Sequence, residues 1–300
     1  MLARASPTPQ KQESLRVTNN GLVIRRATLN DVPVIRALLA AHDNDSPVTT
    51  VDIVGPYVRH LIRHAIALVT ERDGELVAYG AAIDTGIARH LADLFVRHDL
   101  LGRGIGRPLL AAVMGDAPQR TTFASADPRA LPLYVRAGMA PFWPSFSLEG
   151  MATALPVPGL SVRIEPADPS RLASLERAWT GCDRSTDHLF WASQAEAEGF
   201  VVLDAGEPAA FGYARARQVG VARALDRLLV RPDEEPVGPT VAAIRHAGRG
   251  GSVIANVAGP SPVLPALLAA GFRIKDRDQF MASDPGLVDP ARIIPNGGML

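Results

Sequence analysis

Cysteine is almost absent from this chain: Cys182 is the single thiol in 300 residues. One thiol excludes an intrachain disulfide framework and a cysteine zinc cluster, and Cys182 reads as a structural or incidental side chain. Net charge is missing too. The 31 Lys and Arg are matched by 31 Asp and Glu, which leaves no basic surface for nucleic acid or an anionic membrane. No apolar run approaches the ~18 residues of a membrane span. The polar opening stretch, with Pro7 and Pro9, has no apolar h-region of a signal peptide. These absences predict a cytoplasmic protein with no nucleic-acid or membrane partner and leave its oligomeric state open.

What is present is ample apolar material. At 47% hydrophobic residues over 300 positions, the chain can bury a large core and favours two domains over one. Residues 1–19 read as a disordered tail. From there the pattern is β-α-α-β-β-β-α-β-α-β. Thr28-Leu-Asn-Asp31 caps a helix to about Ala41, and a second helix runs from about Val51 to His64. Arg72-Asp-Gly74 joins two strands as a hairpin. Asp127-Pro128 starts a later helix as N-cap and first residue, with Pro132 past its first turn, where it should bend it. Residues 151–161, rich in proline and uncharged, read as a linker. The domains expected are therefore 20–150 and 162–285, with a C-terminal tail over 286–300.

The most informative stretch is Asp93-Leu-Phe-Val-Arg-His-Asp-Leu-Leu-Gly-Arg-Gly-Ile-Gly-Arg-Pro108. A strand ends, and three alternate glycines (Gly102, Gly104 and Gly106) open an apolar helix. They bare a run of backbone N–H groups at a helix N-terminus, suited to phosphate or pyrophosphate, with Arg103 and Arg107 beside it. The P-loop pattern fails because Arg107-Pro108 stands where Lys-Ser/Thr is needed, and the dinucleotide fingerprint fails on glycine spacing.

Leu101-Gly-Arg-Gly-Ile-Gly106 resembles the acetyl-CoA loop of the GNAT superfamily of N-acetyltransferases, Gln/Arg-x-x-Gly-x-Gly/Ala, with Leu101 departing at the first position. Ala124 to Gly138, with its Leu133-Tyr134 pair, resembles that superfamily's second recurrent segment, and the element order over about 22–149 is the superfamily's order. The resemblance implies an α/β protein of the α+β kind, each domain a mixed, mostly antiparallel sheet flanked by helices. It also implies acetyl-CoA as donor and direct transfer to the amine of a small molecule or peptide. Leu94, Phe95 and Val96 would hold the pantetheine arm through their backbone, with an N–H near Phe95 or Val96 as oxyanion donor. Leu101, Gly102, Arg103, Gly104, Ile105, Gly106 and Arg107 would hold the pyrophosphate. Tyr134 would be the general acid. The base is Asp93 or an ordered water, because Leu91-Ala-Asp-Leu-Phe-Val96 resembles a diamine-acetyltransferase form whose glutamate is replaced by Ala92. Strand alternation puts Asp93 with Phe95 on one face and Ala92 with Leu94 on the other. Asp127 would assist the cofactor or serve only as a helix cap. His42, Asp43 and Asp45 lie in the inter-helix break that borders the acceptor site in this fold.

The chain then repeats itself. Asp73-Gly-Glu-Leu-Val-Ala-Tyr-Gly-Ala81 is answered by Ala205-Gly-Glu-Pro-Ala-Ala-Phe-Gly-Tyr213, about 130 positions on. Leu94 to Arg97 is answered by Leu228 to Arg231, and Leu131 to Gly138 by Leu264 to Gly271. The second copy is eroded: Asp233-Glu-Glu-Pro-Val-Gly-Pro-Thr240 replaces the glycine loop, and Leu267 replaces Tyr134. It should serve as structure or cover the first copy's acceptor pocket. Asp187-His188 reads as a surface or capping pair rather than a metal site. The alternative to an enzyme is a non-catalytic acyl-CoA-binding protein, which Ala92 and Leu101 favour.

Overall fold

The computed structural model describes residues 17–19, 21–42, 54–217 and 222–300. The first copy runs β1 (Val17–Asn19), β2 (Leu22–Arg26), α1 (Val32–His42), α2 (Val54–His64), β3 (Ile66–Arg72), β4 (Glu75–Asp84) and β5 (Arg89–Val96). It continues through α3 (Gly106–Met114), β6 (Arg120–Ala124), α4 (Ala130–Arg136) and β7 (Ala140–Met151). The second copy repeats the order from β8 (Val162–Pro166) through α5 (Pro169–Thr180), α6 (Ser185–Ala192), β9 (Glu198–Asp204), β10 (Glu207–Ala216) and β11 (Arg223–Val230). It ends with α7 (Val237–Gly248), β12 (Ser252–Ala258), α8 (Leu264–Ala269) and β13 (Arg273–Ala282), and then β14 (Ile293–Ile294).

Local chemistry explains the repeat. In both copies a two-residue turn with positive φ joins the hairpin, Asp73-Gly74 (53° and 81°) and Ala205-Gly206 (48° and 90°). Such turns match the twist of the strands they connect. Thr28 and Asp31 form the expected capping box. Asp168 accepts the Arg171 N–H at 2.9 Å and starts α5 ahead of Pro169.

The fourteen strands among the described residues form one sheet, ordered β1-β2-β3-β4-β5-β6-β13-β7-β12-β11-β10-β9-β8, with β14 added against β11. Two contacts are parallel, β5 with β6 and β11 with β12, each over three residue pairs. The centre is an exchange. A copy closed on itself would pair β6 with β7, but β6 pairs with β13 and β12 with β7, while β7 and β13 pair with each other. Leu148 of β7 therefore sits in the second copy's core, and Met281 of β13 in the first copy's.

This exchange revises the domain reading. The chain does not divide cleanly between 150 and 162, because each copy's sheet is completed by the other's last strand. The linker is partly core: Ala152 and Leu155 are buried, and both carbonyls accept from Arg245. The tail expected over 286–300 is built in, with Ile294, Met299 and Leu300 buried. At the N-terminus, 17–19 form β1, and the rest of the expected tail lies outside the described residues.

The helix expected at Asp127 begins at Ala130 instead. The Asp127 carboxylate accepts the Arg129 N–H at 2.8 Å and closes a turn before the helix. Pro132 is thus in the first turn, where an N–H has no intrahelical partner to lose, so it does not break the helix. The α1/α2 side of the first copy and the α5/α6 side of the second share one core, in which Ile35, Leu61 and Tyr79 meet Trp191, Phe211 and Met299. No described helix is long and apolar enough to cross a membrane.

Candidate functional site

β5 pairs with β6 only through Arg89 to Leu91; beyond Leu91 the two strands splay. On its other edge β5 stays paired with β4, but the register slips. Ala81 faces Asp93 while Ala82 faces Leu91, which leaves Ala92 as the extra residue of a β-bulge. A bulge places two successive residues against one partner and re-aims side chains. The alternation read from sequence fails here. Ala92 and Phe95 pack with the α1/α2 core, and Asp93 reaches Tyr57 on that same side, while Leu94 and Val96 pack toward α3. Asp93 and Ala92 therefore share a face.

The backbone beyond the bulge is directed by the same ladder. The Arg97 N–H donates to the Val77 carbonyl at 2.9 Å, so residues 95 and 97 bond to β4 and residues 94 and 96 turn toward the splay. The Val96 carbonyl indeed meets the ring of His42, with Nε2 at 2.9 Å. Of the amides of Phe95 and Val96, parity turns that of Val96 toward the splay. His42 also stacks on His98, with ring centroids 4.0 Å apart, and burial lowers its pKa. Asp43 and Asp45 lie outside the described residues.

Downstream, the glycine loop turns into α3. Gly102 and Gly104 have φ of 75° and 79°, and a Cβ on either would meet nothing within 4 Å. Backbone conformation rather than crowding therefore asks for glycine at both positions. The N–H groups of Gly104, Ile105, Gly106 and Arg107 donate to no protein acceptor among the described residues. Arg72, Arg103 and Arg107 line a depression of about 600 Å³ beside them, with Leu22, Gly104 and Pro108. Uncommitted amides at a helix N-terminus, with three guanidinium groups beside them, make an anion site.

Asp93 is buried on the far side of the splayed strand. Burial raises its pKa to about 7, and a hydrogen bond with the Tyr57 hydroxyl opposes part of that rise. Its Oδ2 atom and the Tyr79 hydroxyl are both buried without a protein partner among the described residues. Two such unsatisfied groups together are costly to a fold. Neither tyrosine carries a sequence signal, since Tyr57 reaches Asp93 only once α2 is laid over β4 and β5. Gly298 packs directly on the Tyr57 hydroxyl, and a Cβ there would overlap it. Gly298→Ala should therefore cost about 1–3 kcal/mol in unfolding experiments. By displacing Tyr57 it should also move any activity limb set by Asp93 to higher pH.

Tyr134 projects from α4 as a buried side chain, its pKa raised by burial first and by the Asp127 and Asp93 carboxylates next. It keeps its proton at neutral pH, and its hydroxyl has no hydrogen-bond partner among the described residues. Asp127 is held by Arg129 in a two-pronged ion pair with contacts from 2.7 Å. That pairing satisfies its carboxylate within its own turn.

The second copy has the same frame with different chemistry. Arg227 stands opposite Tyr213 next to its bulge, as Asp93 stands opposite Ala81. The position of the buried carboxylate is therefore taken by a guanidinium. The second splay is filled, because β14 pairs with Leu228 and Leu229, and the Val230 N–H donates to the Arg292 carbonyl at 2.8 Å. The first amide of α7, on Val237, is capped by the Glu235 carboxylate at 3.0 Å. Arg292 reaches back to the Arg231 and Glu234 carbonyls and ties this loop down. Asp187 and His188 are buried rather than superficial. Asp187 bonds His60 across the copies at 2.9 Å and pairs with Arg184, while His188 bonds Glu176 at 2.8 Å. Among the described residues no group of three or more His, Cys, Asp or Glu could hold a metal.

Residues 58–153 match the family model described as an acetyltransferase (GNAT) domain. A solved putative acetyltransferase from Pyrococcus horikoshii is similar at 15% identity, over 96% of this chain and 98% of that one, with a TM-score of 0.69. A GCN5-related N-acetyltransferase from Anabaena variabilis aligns at 14% identity over 87% of this chain and 72% of its own, with a TM-score of 0.62. A tandem GNAT protein from the clavulanic acid biosynthesis pathway aligns at 16% identity over 89% of this chain and 100% of its own, with a TM-score of 0.60. No curated protein matches the chain in sequence. Residues 58–153 thus carry a GNAT acetyltransferase domain, and the chain as a whole has the fold of tandem GNAT proteins, two copies in one sheet.

Proposed function

We propose that the first copy is an N-acetyltransferase that takes acetyl-CoA as donor and passes the acetyl group directly to a primary amine. The observation that carries this reading is the arrangement around one strand. Free amides open on one side of the splay, at the head of α3, and a buried carboxyl with a pKa of about 7 lies at the bulge. The site's residues suit the donor: the Gly104 to Arg107 amides and the three arginines fit its pyrophosphate. The Leu94 backbone and the Val96 N–H, turned toward the open splay, fit an extended amide-bearing arm. The donor supplies an activated acyl group.

Asp93 would accept the proton from the attacking ammonium or amine, being half-ionised near neutral pH. The Val96 N–H would stabilise negative charge on the thioester oxygen. The Tyr134 hydroxyl would return a proton to the departing thiolate. Among the described residues no nucleophilic side chain is placed at the splay, and Cys182 of the second copy is buried against Gly86. This supports a direct transfer without an acyl-enzyme. The second copy, its splay filled by its own strand and its helix amide capped by Glu235, would support and wall the first copy's site without binding a donor.

The test is release of free CoA thiol from acetyl-CoA across a panel of primary amines. Amine-dependent release is expected, and Tyr134→Phe should lower kcat by about 10²-fold with little change in KM for acetyl-CoA. Tight acetyl-CoA binding with no turnover on any amine, indifferent to Tyr134→Phe, would instead identify a non-catalytic acyl-CoA-binding protein.

A further inference from the structure

We infer that the second copy anchors the acceptor, with Arg215 taking an anionic group, such as a carboxylate, carried by the amine substrate. This rests on the acetyltransferase reading above. A cavity of about 180 Å³ opens between the copies, lined by Val54 and Tyr57 from the first and by Phe190, Arg215, Asp226 and Asn296 from the second. Tyr57 is the wall it shares with the reaction site, because its hydroxyl, which donates to the Gly298 carbonyl at 3.4 Å, lies against Asp93. A molecule in this cavity is therefore one side chain from the proposed base.

Comparison of the two copies shows that these charges are not a requirement of the fold. Counted from the bulge, Arg215 occupies the place of Ile83, and Asp226, the bulged residue, the place of Ala92. Ile83 is buried core. The copy whose cofactor splay is filled thus carries an ion pair, Arg215 Nε to Asp226 Oδ1 at 3.0 Å, where the other carries apolar side chains. That pair faces the cavity it shares with the first copy's Tyr57.

Arg215 is not used up by this pairing. Asp226 also accepts from Asn296 Nδ2 at 3.3 Å, whereas the terminal nitrogens of Arg215 donate to no described residue. The Arg215 side chain lines the cavity and is 26% exposed. A guanidinium held at Nε, with its two terminal nitrogens free, is pre-set to bind a carboxylate through two parallel hydrogen bonds. The rings of Tyr57 and Phe190, 6.4 Å apart, supply apolar walls for the body of such a molecule. The substrate class is an amine with an anionic group at its far end.

The probes are ω-amino carboxylates of three to six carbons, each compared with the alkylamine that lacks the carboxylate. The wild-type protein should prefer the amino carboxylate at one chain length. Arg215→Gln should raise KM for that compound about 100-fold, the loss of both charge-assisted bonds, while KM for the alkylamine and for acetyl-CoA stays put. Arg215→Lys should recover part of the loss. A preference that is absent, or one unchanged by Arg215→Gln, overturns the proposal. If no amine is turned over, the acetyltransferase reading fails separately, and calorimetric binding of the same amino carboxylates still decides. Binding that Arg215→Gln abolishes supports the anchor, and no binding by wild-type protein refutes it.

Discussion

Replacing Asp93 by asparagine is expected to lower kcat by about 10²–10⁴-fold while leaving acetyl-CoA affinity unchanged, and to make the protein more stable at pH 8. The first effect follows from loss of the proposed base, since a positioned proton acceptor contributes on this scale. Asparagine keeps the shape and can still bond Tyr57, so the substitution isolates proton transfer. The wild-type rate should climb with pH through a limb near 7, the value to which burial raises Asp93, and that limb should vanish in the variant. A variant retaining full kcat would transfer the base's role to a water and leave Asp93 as structure.

The second effect is a matter of linkage. In the unfolded chain an aspartate ionises near pH 4, and in the fold Asp93 holds its proton to about 7. Its contribution to stability is therefore fully present below about pH 4 and is lost as pH rises through 7. Above that, wild-type protein carries an ionised carboxylate in a buried place. The integrated cost is on the order of 4 kcal/mol. The asparagine of Asp93→Asn has no proton to lose, so unfolding at pH 8 should require several more degrees or more denaturant in the variant, and the gap should close toward pH 4. Lost activity joined to gained stability marks a residue kept for chemistry. Loss of both would mark one kept for packing.

The parts of this molecule legible in its sequence are those governed by neighbours along the chain. The hairpin at Asp73-Gly74 and the capping box at Thr28 depend on one turn's geometry, and they stand where the local pattern puts them. The glycine loop likewise announces itself through backbone conformations that other residues avoid. The strand exchange does not, because nothing local to β7 or β13 says which of β6 and β12 each will pair with. Choice between them is made by packing across the whole sheet. The bulge at Ala92 is equally silent: one extra residue on one strand is visible only against the partner's register, and it moves Ala92 onto the face of Asp93 and Phe95. Tyr57, Tyr79 and Gly298 come from three distant segments, so their meeting at Asp93 is a product of tertiary structure.

The second copy supplies a control for the cofactor site that can be written into the first. Glu235, two residues before α7 begins, caps that helix's first amide with its own carboxylate. The corresponding place before α3 is Gly104. Gly104→Asp should therefore close the anion cradle: a carboxylate there lies within reach of the open amides and repels the pyrophosphate. Losing two charge-assisted bonds of about 1.5 kcal/mol each predicts a Kd for acetyl-CoA about 100-fold weaker, with kcat at saturation within a few-fold. The fold should tolerate the change. No atom lies within 4 Å of a Cβ at this position, aspartate accepts positive φ better than most residues, and the new cap offsets the strain to within about 1 kcal/mol. Gly104→Asn adds the side chain without its charge and should weaken binding about tenfold, separating repulsion from geometry. Equal losses in the two variants would assign the effect to backbone strain, and unchanged affinity in a folded Gly104→Asp protein would remove the cradle from the donor site altogether. The affinity order expected, wild type, then Gly104→Asn, then Gly104→Asp, reproduces step by step the difference between the two copies.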